Sequence, residues 1–234
     1  MAETSLYSYS DGATLAAGLA ERVAVALREG IAARGVAVLA VSGGRTPTRF
    51  FEQLARAELD WSKVQVTLVD ERWVDEGSER SNARLVKAHL LQGPAAAARF
   101  VPLYADAPTP EDGLAAVAAR VEALPRPFDA VVLGMGNDGH TASFFPGGDR
   151  LAEALDPVGR ASVLPMRAEG AGEPRITLTL PPLLATRLLC LHIEGEDKRR
   201  LFAAAQAGEG AAAHYPVRAV LTQTRVPVAV YWCP

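Results

Sequence analysis

Cysteine is nearly absent. Cys190 and Cys233 are the two in 234 residues, far apart and in no Cys-x-x-Cys pair. That excludes a disulfide scaffold, and both are read as reduced, buried thiols of a cytoplasmic protein. Charge of one sign is missing too. A net charge of −3, from 24 basic and 27 acidic residues, offers no field for nucleic acid or an anionic membrane surface. The one dense basic cluster, Lys198-Arg199-Arg200, is too short for a nucleic-acid footprint and reads as the first turn of a helix. No apolar run reaches about 18 residues, so no membrane span is expected. The N-terminus, with Glu3, has no basic segment leading into an apolar one, so no signal peptide is expected. There is no His-Glu-x-x-His, and His89, His192 and His214 stand alone, without ligand spacing. They are read as structural or solvated, and no metal is expected. No internal repeat is visible.

What is there suits a packed domain. Hydrophobic residues make up 49% of the chain, and its length fits one α/β domain over residues 1–234. Leu15, Leu19, Val23, Leu27 and Ile31 recur at helical spacing over residues 11–34, and Gly35 ends that helix. Short apolar runs at 36–41, 64–69, 99–103, 128–133, 160–165, 175–180, 187–193 and 226–233 read as strands. Helical stretches to 57, 91, 124, 155 and 207 alternate with them, and short helical turns are expected at 181–182 and 216–221. Residues 168–174 read as a mobile loop. The alternation predicts a Rossmann-like, three-layer α/β/α fold around a mostly parallel sheet.

Three strand ends carry the chemistry. The first is Ser42-Gly43-Gly44-Arg45-Thr46-Pro47-Thr48, after the strand at 36–41. Glycines free backbone N–H groups, Thr46 suits a helix N-cap and Pro47 a first helical position, which together make an anion cradle. No Gly-Lys-Ser/Thr follows, so it is not a Walker A loop. The second is Asp70-Glu71-Arg72-Trp73, three charges at a strand end, which are costly to bury without partners and suit a polar cleft.

The third dominates. Val131-Val132-Leu133 is the apolar run of a strand buried on both faces, and it breaks into Gly134-Met135-Gly136-Asn137-Asp138-Gly139-His140. The spacing Gly134-x-Gly136-x-x-Gly139 matches a dinucleotide fingerprint. That motif needs an acidic residue about 20 positions on, after the next strand. Glu153 and Asp156 stand near that distance, but neither follows a strand-like run, so no nicotinamide cofactor is expected. His140 can move a proton near neutral pH, since free imidazole titrates at about 6.5. Open α/β sheets bind ligands at the carboxyl ends of their strands, where this loop would lie.

These elements, with Ser81-Asn82, Thr141-Ala142-Ser143-Phe144-Phe145-Pro146-Gly147 and Arg175-Ile176-Thr177-Leu178-Thr179, resemble the 6-phosphogluconolactonase family over nearly the whole chain. The wider superfamily includes glucosamine-6-phosphate deaminases, which share the Ser-Gly-Gly, Asp-Glu and Asp-Gly-His elements. Arg72 after Asp70-Glu71, and Thr141 to Gly147 after His140, lean to the lactonase side. Arg45 departs from the lactonase pattern, where a small residue is common.

The resemblance implies hydrolysis of 6-phospho-D-glucono-1,5-lactone to 6-phospho-D-gluconate in the oxidative pentose phosphate pathway, by a cytoplasmic monomer without a cofactor. Ser42, Gly43, Gly44, Arg45, Thr46, Gly136, Arg175 and Lys198 are the candidate substrate and phosphate contacts. His140 is the expected general base, oriented by Asp138 or Glu71, with Arg72 and glycine-loop N–H groups facing the oxyanion. Ser42 and Ser143 show no partnered base, so no covalent intermediate is expected. Two other readings remain open at this stage: a deaminase-isomerase with Asp70 as base, or a non-catalytic sugar-phosphate sensor.

Overall fold

A computed structural model describes residues 3–234. In chain order the strands and helices begin with β1 (Thr4–Ser8), α1 (Gly12–Arg34), β2 (Ala37–Val41), α2 (Thr48–Leu54), β3 (Val64–Leu68), β4 (Asp70–Arg72) and α3 (Asn82–His89). There follow β5 (Arg99–Val101), α4 (Pro110–Glu122), β6 (Phe128–Leu133), α5 (Leu151–Ala154), β7 (Val163–Met166) and β8 (Arg175–Leu178). The last are α6 (Leu180–Leu184), β9 (Thr186–Glu194), α7 (Glu196–Ala207), α8 (Arg218–Leu221) and β10 (Val228–Cys233).

Every residue of β2 and β6 is buried, as uninterrupted apolar strands require when helices cover a parallel sheet. These two strands lie side by side at the centre of a seven-stranded sheet ordered β1-β10-β9-β6-β2-β3-β5. All its pairings are parallel, so the carboxyl ends of the strands share one edge. From β2 the chain moves outward to β3 and β5, and later strands fill the other side from β6. The loops after β2 and β6 therefore leave a crevice where the winding reverses, the usual ligand position of such sheets. The α/β class and the parallel sheet are as expected from sequence.

The strand at 175–180 belongs elsewhere. β4, β8 and β7 form a separate antiparallel sheet, with Asp70 opposite Thr177 and Arg72 opposite Arg175. Val69 joins the two sheets: its N–H donates to the Val41 carbonyl, and its carbonyl accepts from Leu178 N–H, at 2.9 and 2.8 Å. The strand β1 was not anticipated, because Thr-Ser-Leu-Tyr-Ser shows no apolar run. The Thr46 cap is also corrected. Pro47 holds the position before α2, no side chain caps that helix, and Thr46 is exposed. The helix is short, ending at Leu54 instead of 57.

Helix α1 starts on Asp11, whose carboxylate accepts from the N–H groups of Ala13 and Thr14, and ends on Gly35 at φ 74°. It packs across β2, β6, β9 and β10. One polar contact sits in that interface. Asp129 of β6 is fully buried, and its carboxylate accepts from Arg34 Nη2 at 2.6 and 2.7 Å and from Val38 N–H at 2.8 Å. Gly30 of α1 presses on it: a Cβ there would lie 2.1 Å from Asp129 Oδ1.

Alanine normally stabilises a helix interior by about 1 kcal/mol over glycine. Gly30→Ala should instead lower the thermal midpoint, because the added methyl displaces the buried carboxylate from its two donors, Arg34 and Val38. A raised midpoint in a calorimetric comparison would mean that the helix and Asp129 have room to adjust.

Candidate functional site

The crevice deepens into a cavity of about 220 Å³. Of the sequence-derived candidates, Ser42, Gly43, Gly44, Thr46, Asp70, Arg72, Gly136, His140, Arg175 and Lys198 line it together. Arg45 does not line it, and its residue is exposed. Asp138 and Glu71 stand behind the wall, in different roles.

The His140 loop is tied at both ends. Gly134 N–H donates to Ser42 Oγ at 3.1 Å, and Thr141 Oγ1 donates to the Gly134 carbonyl at 2.8 Å. Gly136 N–H donates to the His140 carbonyl at 2.8 Å, and Val217 N–H to the Gly139 carbonyl at 3.0 Å. Inside this turn His140 Nδ1 lies 2.6 Å from Asp138 Oδ1, and the His140 N–H donates to the same oxygen at 3.1 Å. A carboxylate only accepts, so Nδ1 carries a proton and, in the neutral ring, Nε2 keeps the lone pair. Burial pushes the Asp138 carboxyl up, but the hydrogen bond and charge of His140 outweigh it and the net shift is downward. The Phe145 ring packs on the imidazole, centroids 4.5 Å apart.

Gly136 makes that pair possible. A Cβ at this position would lie 2.1 Å from His140 Nδ1 and 2.5 Å from Asp138 Oδ1. Its side of the loop must therefore be bare, whatever its backbone angles.

Glu71, the other proposed partner of His140, does not reach it. It is fully buried and turned toward α3. Oε1 accepts from the N–H groups of Arg72 and Asn82, both at 2.8 Å. Oε2 accepts from Ala83 N–H at 2.8 Å and Ser81 Oγ at 3.3 Å. It collects the free N–H groups of a helix start, where a negative charge is favoured. Sequence reasoning missed this because Ser81 lies ten residues away, although the acidic residue and the capping serine were both visible.

Two guanidiniums line the wall formed by β4 and β8. Arg72 and Arg175 are paired opposite each other, an arrangement that costs energy for like charges. Arg175 donates to the Ala171 carbonyl at 2.8 Å, lies 3.7 Å from Asp70 Oδ2 and sits 5.2 Å over the Phe145 ring. Arg72 Nη1 donates to the Arg80 carbonyl at 2.5 Å. The Nε of each is buried with no acceptor among the described residues. Such donors are costly unless something negative meets them. Asp70 and, more distantly, the charge of Glu173 act on Arg175 from the protein, and Ser143 Oγ donates to Asp70 Oδ2 at 2.6 Å. Ser143 thus has an acidic partner that the sequence did not suggest. It is fully buried and does not line the cavity, so its hydroxyl anchors Asp70.

Lys198 comes from a third direction. It sits in the first turn of α7, and Nζ donates to the Met135 carbonyl at 2.5 Å, over the glycine loop. Burial lowers its ammonium below the usual value, with the charge of Asp138 opposing. Asn82, His192 and Glu194 also line the cavity and were not singled out as functional. Asn82 Nδ2 holds the Asp70 carbonyl at 3.0 Å. No group of three or more His, Cys, Asp or Glu able to hold a metal ion occurs among the described residues, and no helix is long and apolar enough to cross a membrane.

The chain is similar to known proteins over nearly its whole length. Residues 10–232 match the family described as glucosamine-6-phosphate isomerases/6-phosphogluconolactonase. A 6-phosphogluconolactonase of Rhizobium meliloti (strain 1021) is 53% identical, over 98% of this chain and 99% of its own. One of Mesorhizobium japonicum is 54% identical, over 97% and 94%. The crystal structure of a 6-phosphogluconolactonase from Shewanella baltica OS155 superposes with a TM-score of 0.94 at 42% identity, covering 99% of this chain and 98% of that one.

The Glu71 carboxylate is expected to be a stability element. In Glu71→Gln one acceptor oxygen becomes an NH2 group facing buried N–H donors, and the loss should be about 1–3 kcal/mol. Urea unfolding measures it; an unshifted midpoint would mean the start of α3 needs no anion.

Proposed function

The chain belongs to the glucosamine-6-phosphate isomerase/6-phosphogluconolactonase family, on its lactone-hydrolysing side, and from that premise we propose that His140 is the base of the reaction. The substrate is 6-phospho-D-glucono-1,5-lactone and the product 6-phospho-D-gluconate. The observation that carries the assignment is the 2.6 Å contact of His140 with Asp138 in the wall of the cavity. It fixes the tautomer, so Nε2 can take a proton from water as that water attacks the lactone carbonyl. The imidazolium that forms is stabilised by the adjacent carboxylate.

Negative charge then develops on the carbonyl oxygen. The Arg72 guanidinium, in the cavity wall, is the donor for it. Collapse of the tetrahedral species breaks the ring C–O bond, and the proton held by His140 goes to the leaving oxygen. No bond to the protein forms, in keeping with Ser143 being buried away from the cavity. The phosphate is held by the loop after β2, by Arg175 and by Lys198, with Asp70 keeping Arg175 in place. We place the enzyme in the cytoplasm as a monomer; both cysteines are free and buried, which fits a reducing compartment.

His140→Ala should lower kcat by about 100- to 10,000-fold, the usual range for a lost general base, with the fold intact. Lactone hydrolysis, corrected for the spontaneous reaction, tests the proposal directly; wild-type turnover in the folded variant would remove His140 from this role.

The rate should fall toward acid pH as His140 takes a proton. Asp138 stays charged through this range, because its carboxyl lies below the usual value. Asp138→Asn removes the charge that favours the imidazolium, so the acid limb of its profile should move to lower pH while the maximum rate drops. An acid limb that stays in place would argue against coupling of the two residues.

Lys198→Ala and Arg175→Ala should each lower kcat/KM by about 10- to 100-fold on the phosphorylated lactone, from charge-assisted bonds of about 1.5–3 kcal/mol. Unphosphorylated gluconolactone should be little affected. Equal losses on both lactones would assign these residues to the fold or to the chemistry.

A further inference from the structure

One part of the cavity wall takes no part in these steps. His192 and Glu194 are alternate residues of β9, so their side chains leave the strand on the same face. Both line the cavity. His192 Nε2 lies 3.1 Å from Glu194 Oε1. The carboxylate only accepts, so Nε2 carries a hydrogen and donates it to Glu194. His192 is 4% exposed, and Nδ1 is buried with no hydrogen-bond partner among the described residues. The edge of the imidazole meets the Phe50 ring at a centroid distance of 6.4 Å, which holds its plane.

Glu194 is fixed by the same bond. The hydrogen bond from His192 holds its carboxyl below the usual range, burial opposes, and the charges of His192 and Arg49 add to the lowering. His192 occupies Oε1, and no other hydrogen bond to this carboxylate occurs among the described residues. The wall at the end of β9 therefore offers one fixed acceptor, Oε2 of Glu194, held in place by His192. The wall of β4 and β8 offers the opposite, the free Nε–H donors of Arg72 and Arg175.

Acceptors and donors sort the two ends of a phosphorylated polyol. Phosphate carries only acceptor oxygens and is repelled by a carboxylate. A sugar hydroxyl can donate, and a buried acceptor that meets no donor is destabilising. We propose that His192 and Glu194 form a specificity element that accepts hydrogen bonds from a ring hydroxyl of the substrate, while phosphate is steered to the cationic groups. This rests on the lactonase reading above and extends it to which sugar the site prefers.

The test uses the full-length enzyme, Glu194→Met, and the phosphorylated lactone beside its 2-deoxy, 3-deoxy and 4-deoxy forms. Glu194→Met keeps the length of the side chain and removes the acceptor. Its KM on the parent lactone should rise about tenfold or more, as loss of a hydrogen bond to a charged group implies. Its kcat should stay within about threefold and its acid limb should not move, because His140 is untouched. For one deoxy lactone the wild-type enzyme should show a similar loss, and Glu194→Met should add nothing further to it. An unchanged KM in a folded variant, or losses that multiply on every deoxy lactone, would overturn the inference and leave the lactonase reading standing. A wild-type enzyme that opens no phosphorylated lactone would overturn both.

Discussion

The site depends on a hydrogen bond that only a missing methyl group allows. Nδ1 of His140 and Oδ1 of Asp138 occupy the space over Gly136 that any Cβ would fill. The contact is made between residues two positions apart, so it needs no long-range fit of its own. What it needs is a turn that stays closed. The bonds from Ser42, Thr141 and Val217 supply this, tying the turn to the loop after β2, to its own start and to the segment before α8. The imidazole is consequently oriented before any substrate arrives, and its tautomer is set by a partner that cannot donate.

Around that fixed imidazole the fold distributes charge by element. The parallel sheet delivers the glycine loops, one of them carrying the Asp138–His140 pair. The small antiparallel sheet delivers Asp70, Arg72 and Arg175 as a cross-strand group, and α7 delivers Lys198. Each cation is tied to a carbonyl or a carboxylate but retains unused donors. Arg72 and Arg175 stand opposite each other at a cost that an anion between them would relieve. The acidic member, Asp70, is held by Ser143 from behind, so it offsets the two guanidiniums without filling the cavity.

How much of this was legible follows from how local each feature is. Val131 to His140 announced a buried strand breaking into a reactive loop, because burial on both faces leaves a continuous apolar run. The extent of α1 was visible for a similar reason: its apolar spacing and the closing Gly35 are local signals. Glu71 was misassigned because its four donors come from its own neighbour and from residues ten to twelve positions on, and only the packing of α3 against β4 brings them together. Ser143 and Asp70, 73 residues apart, carry no mutual signal in one sequence. Residues 175–178 alternated as a strand should, but nothing in the alternation says which sheet it joins. His192 looked like a core histidine, and it is buried; its unused nitrogen and its neighbour Glu194 at a cavity wall became visible only in three dimensions.

The sheet closes in an order the chain cannot follow as it is made. Thr4 to Ser8 pair with Val228 to Trp232, and β10 separates β1 from every other strand. The first strand emerging from the ribosome thus has no neighbour until the last is complete. The centre of the sheet, β2 with β3 and later β6, can assemble during synthesis, and α1 can lie down on it without β1. Final closure waits for β10, and until it pairs β9 has an open edge beside the loops of the cavity. Loss of even the last few residues would strand β1 as well as remove β10, so truncation at the C-terminus should be felt at both ends of the chain.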